Sequence, residues 1–211
     1  MIYRELKIPI LFLLLNSFFV SVNASEIGMP DCGRAAVGGY GPFDYTKADN
    51  FSLNIVEKVH FLPEIEALIE RPGKNTVISD LDYTLRAFPN HHRALMSVAK
   101  YRIRNPWQYR GSFKSADCYF KMALDMKPDD GVVYLLYGIY KHKLKMYNDA
   151  EKYYLEALKY IPAHVEVQYN LGLLYFDKKD YVKAKEYAKK AYLQNFPLKG
   201  LEDKLKREKA W

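Results

Sequence analysis

Four positions recur at one interval in the C-terminal half of this chain, and that recurrence limits the fold more than anything else in the sequence. Gly138 and Gly172, Tyr147 and Tyr181, Ala150 and Ala184, and Ala157 and Ala191 are each separated by 34 residues. A fixed period of this length marks a short helical hairpin that cannot bury its apolar face alone and therefore stacks on copies of itself. Tyr134, Tyr154 and Pro162 belong to the first copy, and Gln168, Leu171, Tyr175 and Pro197 to the second. Glycine at 138 and 172 lets two helices approach closely. The alanines serve the same approach from the second helix, and Tyr154 and Tyr187 are expected to fill the larger gaps between copies. The chain's 19 tyrosines thereby acquire a structural role. Asn148, Asp149 and Asp180 fall where the second helix of each copy begins, and these types start helices well.

The period extends upstream. Pro128 lies 34 residues before Pro162 and closes a helix containing Ala116, Phe120 and Ala123. Its partner runs from His92 to Arg104 with Leu95, Val98 and Ala99, but Pro89 and Pro128 are 39 apart, which places a five-residue insertion at Asn105 to Tyr109. Further back, Pro63 to Glu70 is predicted to be a short proline-started helix, and Asp80 to Phe88 its partner, with Val77 and Thr84 where the alanines belong.

These residues resemble the tetratricopeptide repeat family, whose pattern is an aromatic, Leu-Gly and Tyr in helix A, then Ala, aromatic, Ala and Pro in helix B. The resemblance implies an all-α, right-handed solenoid of stacked hairpins, with units at about 58–91, 92–130, 131–164 and 165–198. Residues 199–211, carrying Leu201 and Leu205 on a charged segment, are expected to form a polar capping helix. Asp80 to Leu95 also looks like the leading repeat of exported bacterial members. In the family, helix A residues line a concave groove; transferred to this chain they are Arg93, Met96 and Lys100, then Val132, Leu135, Ile139 and His142, then Tyr169, Leu173 and Phe176. Such a groove is apolar with a basic mouth and suits a peptide segment of another protein, its apolar side chains in pockets and an acidic group near Arg93 or Lys100. The family's carboxylate-clamp variant needs asparagine where Leu136 stands, which argues against capture of a free C-terminus in that manner. The alternative is that the chain's own N-terminal arm fills the groove through Phe43 and Tyr45.

Residues 1–24 read as a signal peptide. Arg4 and Lys7 are followed by an apolar run from Ile8 to Val20, and Val22-Asn23-Ala24 supplies a cleavage site after Ala24. That run is shorter than the roughly 20 residues of a bilayer-spanning helix, so no stable span is expected after cleavage. Residues 25–57 form a Gly- and Pro-rich irregular arm followed by a short helix: Leu53, Val56 and His60 fit helical spacing, although Leu53, Ile55, Val59 and Phe61 also fit a strand. Export would put Cys32 and Cys118 in an oxidising compartment, where they are either bridged or remain two separate thiols. The net charge of +7 is mild, and lysines such as Lys183, Lys185, Lys189 and Lys190 alternate with Glu186 as on a solvated helix face, so no nucleic-acid partner is expected.

Chemistry-bearing constellations are sparse. Glu57 and His60 make one Glu-x-x-His pair, half of a di-iron site, but a second copy and two further glutamates are missing. Adjacent His91 and His92 point in different directions and read as a helix start. No Gly-x-Ser-x-Gly elbow or phosphate-binding loop occurs, and Gly38-Gly39-Tyr40-Gly41 runs into Pro42. Cys118, between core positions Ala116 and Phe120, reads as packing or bridging. No cofactor is expected. Trp107 and Tyr109 in the insertion are a second candidate contact. The sequence points to a non-enzymatic scaffold, periplasmic or secreted, with two rivals: an assembly chaperone or subunit of a pilus, secretion or envelope-polymer system, and an enzyme or metal-binding protein that uses Glu57 and His60.

Overall fold

The computed structural model describes residues 32, 40–106 and 113–211. The signal segment, most of the arm before Tyr40, and Trp107 and Tyr109 lie outside the described residues. Within them the protein is all-helical, with ten α-helices and no strand: α1 Asn50–His60, α2 Pro63–Glu66, α3 Val77–Ala87, α4 His92–Arg104, α5 Ala116–Met126, α6 Gly131–Lys143, α7 Tyr147–Tyr160, α8 Val165–Asp177, α9 Tyr181–Leu193 and α10 Gly200–Arg207. Consecutive helices pack as hairpins that stack on one another, α4 against α6 and α6 against α8, which is an α-solenoid.

Side-chain oxygens cap most helix starts, satisfying amides that have no partner within the helix. Asp49 accepts from Ser52, Thr76 from Ser79, Ser115 from Cys118, Asp130 from Val132 and Val133, and Asp180 from Lys183. His91 does the same with Nδ1, which accepts from the Ala94 N–H at 3.1 Å. Asn148 and Asp149 lie just inside α7, which begins at Tyr147. The ambiguous stretch around Leu53 is helix α1.

The glycines act as close-approach residues, in two different ways. A Cβ on Gly138 would sit 2.5 Å from the Tyr154 ring, which is fully buried in α7. In the last unit the residue 34 after Tyr154 is Ala188, and the space is taken instead by Leu201 of α10: a Cβ on Gly172 would meet Leu201 Cδ2 at 2.6 Å and the α9 backbone at 3.3 Å. The capping helix therefore supplies the side chain that helix B supplies in the preceding unit. Tyr187, expected in that role, stacks on Tyr175 at 5.5 Å and is only half-buried. In the second unit Ala99 occupies the glycine position once the insertion is counted, and α4 and α5 meet less closely than α6 with α7 or α8 with α9.

Tyrosines also tie unit to unit. Tyr119 donates to Asp82 at 2.6 Å, Tyr137 to Asp117 at 2.7 Å and Tyr175 to Glu151 at 2.7 Å, in each case a carboxylate on helix B of the preceding unit. Burial first, and the carboxylate second, push all three phenols up, so each remains a donor. Phe120, Tyr137 and Tyr153 stack in a row at 4.6 and 4.0 Å.

The first unit departs most from the pattern. Its helix A, expected over Pro63 to Glu70, is the single turn α2, and the chain leaves it through Leu68 at φ 62°. Helix α1 packs against α3 and helps to cover it, Val56 burying against Ala87 and Phe88. Thr84, at an alanine position, is buried with its hydroxyl on the Asp80 carbonyl at 2.9 Å.

Candidate functional site

Helices α4, α6 and α8 each present one row of side chains to a common concave side. Met96, Lys100 and Ile103 on α4 face Ile139 and Lys143 on α6 across a cleft of about 290 Å³, whose floor includes Ala99 and Tyr140. Ile139 and Lys143 also line a second cleft of about 410 Å³, shared with His142, Tyr147, Tyr154, Asn170, Leu173, Asp177, Lys145 and Lys204. The two common residues join the clefts into one groove whose apolar lining combines aliphatic side chains with the rings of Tyr140, Tyr147 and Tyr154.

The charge around that floor is positive. Asp177 is engaged: its Oδ2 lies 2.9 Å from His142 Nε2. Burial pulls the His142 ring below its ordinary value, against the opposing pull of Asp177, so at neutral pH the imidazole is uncharged. Its Nε2–H donates to Asp177 and its Nδ1 faces the Tyr154 hydroxyl at 3.4 Å. Lys143 and Lys145 have no carboxylate partner among the described residues, Lys100 acts on Glu66 through space without a salt bridge, and Lys204 Nζ rests 5.1 Å from the Phe176 ring centroid. Four ammonium groups against the single carboxylate of Asp177 leave the trough net positive.

Of the residues expected in the groove, Met96, Lys100, Ile139, His142 and Leu173 line it. Arg93 does not supply the basic mouth. Its guanidinium is paired with both carboxylate oxygens of Glu66 and lies 5.2 Å from the Phe61 ring, so it closes the first unit onto α4. Leu135 and Tyr169 are core residues, 1 % and 7 % exposed. Tyr169 is covered by Phe196 at 4.3 Å and Tyr192 at 6.4 Å, beside the link to α10. Val132 is half-buried at the start of α6 outside both clefts, and Phe176 packs on Tyr181 at 5.4 Å. Ile103, Lys143, Asn170, Asp177 and Lys204 line the groove as well. Lys143 and Asp177 stand four residues after Ile139 and Leu173, and Ile103 seven after Met96, so extending each row by one turn would have found them. Lys204 depends on how α10 crosses α8, which no periodicity encodes. Leu136, at the clamp asparagine position, packs against the core.

The described part of the arm does not fill the groove. Phe43 donates its N–H to the Ala87 carbonyl at 2.8 Å and packs on Phe88 at 5.8 Å; Tyr45 bonds Asn90 through its N–H and lies 4.4 Å from the His91 ring. Both sit against the α3–α4 corner, and neither lines a cleft. The arm is also fastened at Cys32, which is disulfide-bonded to Cys118 on α5.

Glu57 and His60 do not act as a pair. Glu57 accepts from His91 Nε2 at 2.8 Å, whereas His60 Nδ1 bonds the buried Asp80, which also takes Arg71 at 2.6 Å and Asn75 at 3.1 Å. His92 bonds Asp130 at 2.9 Å. Among the described residues no three His, Cys, Asp or Glu side chains converge as metal ligands.

Stacked two-helix units with an open, side-chain-lined concave face define a repeat scaffold of the protein-binding kind. A sequence model of the tetratricopeptide repeat matches residues 132–164 and 165–195, the hairpins α6–α7 and α8–α9. Residues 132–195 thus carry two tetratricopeptide repeats, and repeats of this kind serve as protein–protein interaction scaffolds. No curated protein matches it.

Proposed function

We propose that this protein is a non-enzymatic scaffold of the cell envelope or extracellular space whose groove binds a partner segment with apolar anchors flanked by carboxylates. The observation that carries the reading is the continuous trough over Ile139, with aliphatic and tyrosine side chains below and Lys100, Lys143, Lys145 and Lys204 around it. An open apolar groove on a folded protein marks a partner, and unpaired ammonium groups select carboxylates and repel basic competitors. Export is supported by the leader-like first 24 residues and by the Cys32–Cys118 bridge, a bond that persists in oxidising compartments.

Peptide display against the purified protein tests the groove. Selected peptides should carry aliphatic or aromatic residues beside Asp or Glu. Their affinity should fall at least about tenfold in Lys100→Glu/Lys143→Glu, since two exposed charges are reversed without touching the core. Peptides that lack acidic residues, or undiminished affinity in the double variant, would sink the proposal.

A further inference from the structure

Eleven of the chain's 32 Lys and Arg, but only five of its 25 Asp and Glu, lie in residues 178–211, so that segment holds +6 of the net +7. Within it, Lys185 and Lys189 flank an apolar feature. Helix α9 buries Ala184, Ala188 and Ala191, and its opposite, outer meridian runs Val182, Glu186, Lys189, Leu193. Val182 and Leu193 are 82 % and 84 % exposed, more than any other large apolar residue described, and stand roughly 16 Å apart along the helix. Leu198, 58 % exposed, follows in the link to α10, its carbonyl bonded by Tyr192. Glu186 is taken by Lys190 at 2.7 Å, while Lys185 and Lys189 have no carboxylate partner among the described residues.

We propose that this face of α9, with the link to α10, docks on an anionic phospholipid surface. The lysines meet headgroup phosphates, and Val182, Leu193 and Leu198 enter the interfacial layer. Basic side chains interspersed with protruding aliphatic ones suit a lipid interface, whose charge lies at the surface with apolar chains directly beneath. An acidic polymer would be served by the lysines alone and leaves three exposed aliphatic side chains unexplained. No described helix is long and apolar enough to cross a membrane, so the contact is peripheral.

The full chain is labelled with an environment-sensitive dye at Gln194→Cys, next to Leu193, or at Asn54→Cys on α1, and mixed with vesicles of phosphatidylcholine alone or with phosphatidylglycerol. The dye at 194 should shift to the blue only with phosphatidylglycerol, and the dye at 54 should not move. Val182→Ser/Leu193→Ser, both at exposed sites, should lower apparent vesicle affinity about tenfold, and Lys185→Gln/Lys189→Gln should also weaken it. No shift at 194, an equal shift at both positions, or affinity indifferent to the serine pair would overturn the proposal; the last result would point to a generic polyanion site.

Discussion

The packing of Leu201 against Gly172 makes a quantitative prediction about the C-terminal cap. In the native protein, Gly172→Ala places a methyl group 2.6 Å from Leu201 Cδ2, about 1 Å inside normal carbon contact. Overpacking of this size costs roughly 1–3 kcal/mol, offset by about 1 kcal/mol of helix propensity gained when glycine is replaced. Leu201→Ala alone empties a fully buried site and should cost about 2–5 kcal/mol. In the double variant the clashing carbon is gone. The new methyl then partly fills the cavity, leaving only the 3.3 Å approach to the α9 backbone. The two substitutions should therefore be coupled by about 1–3 kcal/mol, the double variant being more stable than the sum of the singles. Urea unfolding of the four proteins, followed by far-UV circular dichroism, measures this coupling. Additivity within about 0.5 kcal/mol would refute the idea that α10 substitutes for the missing aromatic of helix B.

Two further outcomes follow from buried groups and from the arm. Burial lowers His91 against the opposing pull of Glu57, and lowers His142 against Asp177; the stability held in these neutral rings is full above the ordinary value of 6.5 and is lost as pH falls from there through the folded values. Burial tends to raise Asp130, but hydrogen bonds and charge from His92, with the bond from Asn90, outweigh it and hold the carboxyl low, so a second loss begins below 3.8. The melting temperature should thus fall in two acid steps, and His91→Asn, which offers an amide oxygen in place of the capping Nδ1 but cannot titrate, should flatten the first; an unchanged profile would contradict the assignment. The Cys32–Cys118 bridge closes 86 residues, for which loop-closure entropy predicts about 4–5 kcal/mol. Cys32→Ser/Cys118→Ser should lower the urea midpoint correspondingly, and an unshifted midpoint would show that the arm contributes nothing to folding.

The repeat architecture was legible because two helices packed at close range restrict their contact positions to glycine and alanine, and a stacked array repeats that restriction every 34 residues. Cap residues such as Asp130 and Asp180 were legible for a local reason, the unpaired amides of the first turn. What stayed hidden depends on neighbours. The first helix A ends after one turn at Glu66, the chain turning away through Leu68 at φ 62°, and α1 packs on α3 instead. Leu135 and Tyr169 share helical rows with groove residues, yet tertiary packing covers both, Tyr169 through the link to α10. Periodicity gives the face a side chain occupies, and it does not say whether another element lies over that face. Arg93 is basic and exposed, and only the fold shows that Glu66 reaches it.

Photo-cross-linking in the producing cell addresses the groove itself. A photoreactive amino acid at position 143 or 173 should trap a partner protein, and the adduct at 173 should disappear when Lys100→Glu/Lys143→Glu is combined with it. The same probe at Lys152, on the outer face of α7, should trap none of that partner. Adducts that form from 152 while 143 and 173 stay silent would place recognition on the outer helices and contradict a groove-binding scaffold.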